Sequence, residues 1–275
     1  LKALEEFNIN KNIKAISCTS IGAFFSILMI IGYTFKELND IFNNINLYDL
    51  QNINLLNFKD KFGLDNGNKI IKFLKILFNE KNINENITFL ELFNIKKINL
   101  VITGTNLSKQ KIEYFNYESN PDMQVMTALR ITMSIPIIYD YIKYNNDIYI
   151  DGGLLDNYPI EYFKNDIDNT VGFLMNDFNE HLDINSFDEY LYSFLFCLLK
   201  KVNKVKKKIY KKNTIILKQD FIGFVDFNIT NDEKKKLIDL GYNQTKNFLL
   251  NKLNDNMTED KEETNLPSIL DFINN

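Results

Sequence analysis

Two short segments carry residue types able to perform acyl transfer. Cys18-Thr19-Ser20-Ile21-Gly22 is similar to the nucleophile elbow G-x-S-x-G, with Cys18 in place of the first glycine. Such an elbow needs small residues beside its serine, because strand and helix approach closely at a strained turn. Gly22 meets that need; Cys18 is small and apolar but carries a Cβ that the turn must accommodate. A helix starting after Ser20 offers a positive dipole end and free N–H groups, with the Ile21 backbone N–H as the oxyanion donor. The same residues also fit a plainer role, since Ser and Thr cap helices constantly.

A serine hydroxyl needs a base. The one histidine, His181, lies in the polar stretch Asn176-Asp177-Phe178-Asn179-Glu180-His181, and the order Ser, acid, His would suit an α/β-hydrolase triad. The other candidate is Asp151, which ends the apolar run Tyr149-Ile150 and precedes Gly152-Gly153. Two glycines let the backbone turn sharply, so that the carboxylate points along the carboxyl edge of a sheet, where open α/β sheets bind ligands. A carboxylate activates a hydroxyl directly when both are held within reach in a dry pocket. An Asp before two glycines is also ordinary turn chemistry. No His, Cys and carboxylate cluster has metal-ligand spacing, so neither metal nor other cofactor is expected.

The elements that must position these groups follow from periodicity. Residues 1–8 read as a helix, 13–17 as a short strand, and the apolar run Ile21 to Tyr33 as a core helix too short to span a bilayer. Residues 39–62 are irregular and Asn-rich, suiting a cap or lid. A helix follows over 65–78, and Thr88 with Glu91 forms a capping box for another through Phe93. Asn99 to Thr105 is a buried strand and Lys111 to Tyr117 an exposed one. The spacing gives a helix over 122–134 with its N-cap at Pro121-Asp122, and strands at 147–150, 170–175 and 214–217. Helices are expected over 187–202 and 230–253. Strands alternating with helices argue for an α/β fold on a largely parallel sheet.

Composition narrows the class. Of 275 residues 45% are hydrophobic, enough for a packed core. A net charge of −4 excludes the basic footprint of a nucleic-acid binder. Two cysteines, Cys18 and Cys197, build no disulfide framework, and the expected location is the cytoplasm. Within this acidic chain Lys200, Lys201, Lys204, Lys206, Lys207, Lys208, Lys211 and Lys212 form a basic run. It is either a solvated helix end or a peripheral contact with an anionic membrane.

Taken together and in this order, the segments resemble the patatin-like phospholipases, lipid acyl hydrolases with a Ser-Asp dyad. Ser20 matches the family's nucleophile in Cys18-Thr19-Ser20-Ile21-Gly22, and Asp151-Gly152-Gly153 matches its dyad segment, continued by Asn157-Tyr158-Pro159. Leu129 to Pro136 is similar to the helix-then-proline segment before the aspartate, and Leu100 to Leu107 to the central strand. The resemblance implies a three-layer α/β fold, a central mostly parallel sheet covered by helices on both faces. It implies Ser20 as nucleophile, Asp151 as proton acceptor, and a phospholipid or other lipid ester as substrate, in a phospholipase A or lysophospholipase reaction. The family's glycine-rich oxyanion loop lies before the helix that begins this chain and is not found at residues 1–12. The expected organisation is therefore one N-terminally truncated patatin-like domain over 1–253 and an acidic, weakly structured tail over 254–275. The alternative is a catalytically impaired domain that binds lipid or a partner without turnover.

Overall fold

The computed structural model describes residues 1–54, 57–175, 205–218 and 229–263, with the single positions 184, 190, 193, 194, 197 and 203 between them. His181, Lys200, Lys201, Lys204, most of the helix expected over 187–202, and residues 264–275 lie outside the described residues.

Helix α1 (Lys2–Glu6) and a 3-10 turn lead into β1 (Ala15–Cys18), which passes through Thr19 and Ser20 straight into α2 (Ile21–Ile31). The apolar run is a helix because six of its side chains, among them Phe24, Ile27 and Leu28, find core partners, and Gly32 at φ 111 ends it in the left-handed conformation. Helix α3 (Phe35–Asn44) follows at once, started by a capping box between Thr34 and Glu37. Residues 39–44 are therefore helical and not irregular as expected, and the Thr-x-x-Glu signal for this was present in the sequence. Next come α4 (Asn57–Lys61), β2 (Gly63–Asp65), α5 (Asn68–Glu80) and α6 (Phe89–Lys96). The Thr88–Glu91 capping box of α6 forms as expected.

Strands β3 (Asn99–Asn106) and β4 (Lys111–Phe115) precede α7 (Val125–Thr132). Helix α7 starts later than expected because residues 121–124 are engaged at the α6 N-terminus: Pro121 and Met123 carbonyls accept the Leu90 and Phe89 N–H groups. Strands β5 (Ile137–Tyr139), β6 (Ile142–Tyr144) and β7 (Asp147–Asp151) then lead to α8 (Gly153–Asp156) and an irregular 3-10 stretch, Pro159–Asn169. Strands β8 (Gly172–Met175) and β9 (Thr214–Leu217) and the helix α9 (Asn231–Glu263) complete the fold; α9 extends into the stretch expected to be a loose tail.

Strand β3 organises the central sheet, and every residue from Leu100 to Asn106 is buried, as in a strand covered on both faces. One edge pairs with β4. The other edge is shared: its first half pairs in parallel with β1, ending at Cys18 opposite Ile102, and its second half pairs antiparallel with β7, ending at Asp151 opposite Gly104. Strand β6 joins β7 through Asn145 and Asn146, both at positive φ as a tight hairpin requires. The α/β class holds, but the central sheet is mixed rather than mostly parallel, because this Asn-Asn hairpin returns β7 toward β1. Successive β3 side chains face opposite layers. A Cβ on Gly104 would strike Phe115 and Ile131 of α7, whereas Thr103 faces Gly152 at the head of α8. Leu28, Leu74, Leu129 and Ile131 are fully buried in the main core.

Candidate active site

The shared edge of β3 brings the two sequence candidates together. Strands β1 and β7 run toward each other and stop with only Thr103 between their partners Ile102 and Gly104. The turn after β1 and the last residue of β7 thus meet at one point, so Ser20 and Asp151, distant in sequence, become neighbours.

Ser20 adopts φ 51 and ψ −128, a combination that L side chains rarely occupy and that lies outside the left-handed helical well. A helix-capping serine would sit in extended backbone and accept from the helix; Ser20 makes no side-chain cap bond. The turn is held from outside. The Ser20 N–H donates to Thr132 Oγ1 at 2.9 Å, from the last residue of α7. Thr19 Oγ1 lies 3.0 Å from the Asp156 carbonyl and 2.7 Å from Thr103 Oγ1. A carbonyl cannot donate, so the Thr19 proton goes to Asp156 and Thr103 donates to Thr19. In the first turn of α2 the Gly22 N–H is taken by the Thr19 carbonyl and the Ala23 N–H by that of Ser20, both at 2.9 Å. The Ile21 N–H has no partner among the described residues. The dipole of α2 adds a positive end at the same place.

Cys18 fits where the elbow pattern has glycine. Its side chain is buried and its thiol donates to the Val101 carbonyl at 3.4 Å, while burial pushes the thiol pKa up to about 12. Gly22 behaves differently from expectation: a Cβ there would meet nothing within 4 Å. The close approach falls instead at Gly152, where a Cβ would strike Thr103 Oγ1.

Asp151 is 5% exposed. Its N–H donates to the Ser134 carbonyl at 2.9 Å, and its Oδ1 accepts the Gly153 N–H at 2.7 Å. Burial raises its pKa from 3.8 to about 7, opposed by the neighbouring Ser20 hydroxyl and the Gly153 N–H. The buried Oδ2 completes no hydrogen bond, so the Ser20 contact is looser than a full one.

Thr132, Thr103, Ser134 and Asp156 were not singled out by sequence. The available signal was a polar residue inside an apolar strand, Thr103 in Val101-Ile102-Thr103-Gly104, and a threonine at the end of an apolar helix. Around the turn, Ile21 and Phe25 lie one helical turn apart on α2 with their apolar side chains 62% and 43% exposed. An open apolar groove of about 340 Å³, lined by Phe62, Leu107, Ile137, Tyr139, Ile148 and Ile150, runs beside β7; neither Ser20 nor Asp151 lines it. Among the described residues no group of three or more His, Cys, Asp or Glu side chains is placed to hold a metal ion. No helix among them is long and apolar enough to cross a membrane.

The fold and site define an α/β protein with a hydroxyl on a strained strand–helix turn beside a buried, proton-hungry carboxylate. A family model for patatin-like phospholipase matches residues 1–164, more than half of the chain. The chain belongs to the patatin-like phospholipase family, which supports lipid hydrolysis in general. It is 27% identical over 256 residues to the uncharacterized protein R571 of Acanthamoeba polyphaga mimivirus, covering 88% of this chain and 85% of that protein. It is 37% identical over 162 residues to a protein of Invertebrate iridescent virus 6 named probable lipid hydrolase 463L, a match covering 57% of this chain and 54% of that one. Among solved structures, VipD from Legionella pneumophila shares the fold with a TM-score of 0.56 at 17% identity, over 90% of this chain and 63% of VipD.

Proposed function

We propose that this protein hydrolyses carboxylic esters of phospholipids through a Ser20–Asp151 dyad and an acyl-enzyme, as a phospholipase A or lysophospholipase. The observation that carries the reading is the conjunction of Ser20 on its strained turn with a buried Asp151 whose pKa is pushed up to about 7. That value lies where a general base works best near neutral pH.

In the first half-reaction the Ser20 Oγ–H bond breaks, its proton passing to Asp151 as Oγ bonds to the ester carbonyl carbon. The tetrahedral oxyanion accepts from the Ile21 N–H at the α2 N-terminus. As the ester C–O bond breaks, Asp151 returns the proton to the leaving alcohol, and the acyl group stays on Ser20. Water then attacks the acyl carbon, Asp151 taking its proton and giving it to Ser20 Oγ as the fatty acid departs. The exposed Ile21 and Phe25 beside the nucleophile favour an apolar substrate.

Lipid presented at a membrane surface would be met by the C-terminal basic segment, and we place the protein in the cytoplasm with a peripheral membrane contact. Val205 and Ile209, one helical turn apart, are 57% and 62% exposed, and Lys208, Lys211 and Lys212 are exposed beside them. Lys206 does not belong to this surface, because it is buried.

The test is release of fatty acid from phosphatidylcholine and of nitrophenol from its fatty acid ester. Ser20→Ala and Asp151→Asn should each abolish both, with lipid binding retained; turnover that survives either change rejects the dyad. Activity lost in His181→Ala while Asp151→Asn keeps it would assign the base to His181.

A further inference from the structure

One lysine of the basic run points inward. Lys206 is 7% exposed, and its Nζ donates to Asp156 Oδ1 at 2.6 Å and to the Tyr158 carbonyl at 3.0 Å, with Glu161 Oε2 at 3.4 Å. Asp156 is equally buried. Its Oδ1 also accepts the Tyr158 N–H at 3.2 Å, and its Oδ2 accepts the Tyr114 hydroxyl at 2.7 Å. Taking both charges out of water is costly, so such a pair is weak support for stability alone. Its geometry is specific, and what that geometry fixes can be followed along Asp156.

The backbone carbonyl of the same Asp156 accepts the Thr19 hydroxyl at 3.0 Å, and Thr19 immediately precedes Ser20. The Asp156 N–H is held by the Gly152 carbonyl at 2.9 Å, next to Asp151. Asp156 therefore carries Lys206 on its side chain and both arms of the site on its main chain. The segment that bears Lys206 is clasped a second time: Tyr158 Oη lies 2.8 Å from Thr214 Oγ1 of β9, and Thr214 donates to the Tyr210 carbonyl at 2.6 Å.

We propose that Lys206 is a positioning residue that, by anchoring Asp156, holds Thr19 and the Ser20 turn, so that seating of residues 205–217 against the α8 segment is a condition of hydrolysis. The inference rests on the Ser20–Asp151 reading of the site. It separates Lys206 from its exposed neighbours: Lys208, Lys211 and Lys212 are free to meet lipid, while Lys206 acts on the turn.

Full-length Lys206→Met, Thr19→Val and the double variant are compared by kcat and KM on phosphatidylcholine in mixed micelles and by backbone hydrogen exchange. Lys206→Met should lower kcat by about tenfold or more with KM within about twofold. It should also speed exchange in residues 17–24 while leaving α6 unchanged. The double variant should be no slower than Thr19→Val alone, because both changes break one chain of contacts. A lowered melting temperature with unchanged kcat and unchanged exchange at 17–24 would overturn the proposal, as would effects that multiply. Lys206→Gln, which keeps a donor for the Tyr158 carbonyl, serves the same readouts if Lys206→Met does not fold. If the unaltered protein releases no fatty acid, the dyad reading fails, and exchange at 17–24 still decides whether Lys206 holds the turn.

Discussion

At Asp151 the direction of the pKa shift fixes two opposite pH dependences. In the proposed mechanism only the ionised carboxylate accepts the Ser20 proton, so kcat/KM should rise with pH and level off above about 7. His181→Ala should leave that ascending limb in place. Stability runs the other way. Between the ordinary value of 3.8 and about 7 the folded chain holds a proton that the unfolded chain has lost, so this group's contribution falls as pH rises through that window. Thermal melting of the unaltered protein and Asp151→Asn should therefore diverge from pH 4 to 7, with Asp151→Asn gaining. Thr132 makes a second residue-scale prediction. Thr132→Val strands the Ser20 N–H inside the protein, which costs about 1–3 kcal/mol. Because the stranded group belongs to the Ser20 turn, the proposed mechanism has kcat drop with it; a loss of melting temperature at full kcat would show that the turn holds itself.

At the scale of elements, the β7–α8 junction matters more than the sequence indicates. Gly152 is usually read through the flexibility of its turn, yet its φ of −62 is ordinary for any residue. Its requirement is space: a Cβ would press on Thr103 Oγ1 and displace the Thr19–Thr103 pair. Gly152→Ala should destabilise by about 1–3 kcal/mol through overpacking and lower kcat with Ser20 and Asp151 both unchanged. Gly22→Ala, pointing into open space, should leave melting unchanged, which inverts the order that the elbow pattern suggests. Much at this scale is legible in sequence. The β1–turn–α2 unit, the buried β3, the Thr88 capping box and the strand ending at Asp151 all arise from periodicity or contacts a few residues apart. Helix α3 was legible too through Thr34 and Glu37, but its Asn-rich surface hides the apolar stripe.

For the whole molecule, the membrane contact is an electrostatic prediction. Replacing Lys208, Lys211 and Lys212 together by Gln should weaken binding to anionic vesicles by up to ~1 kcal/mol per lysine. Neutral vesicles should bind equally in both forms, and the difference should shrink in salt as screening shortens the reach of the charges. Hydrolysis of a soluble nitrophenyl ester should be unchanged, which separates the surface from the site. Co-sedimentation that ignores lipid charge would remove the basic segment from lipid binding.

The α/β class, the serine at a strand–helix turn and the aspartate at a strand end are readable along the chain, because each is encoded by neighbouring residues. The sequence also carried the family pattern from Ser20 to Pro159. Three-dimensional packing, by contrast, makes β1 and β7 divide one edge of β3, which is what sets Ser20 beside Asp151. It likewise set the burial that pushes the Asp151 pKa up to about 7, and the bonds from Thr132 and Asp156 to the turn. The turn contacts join residues 112 and 137 positions apart, and the strand pairings join Cys18 to Ile102 and Gly104 to Asp151, so no local periodicity records them. Lys206 shows the limit most plainly. In sequence it is one lysine among eight, and only burial against Asp156 sets it apart.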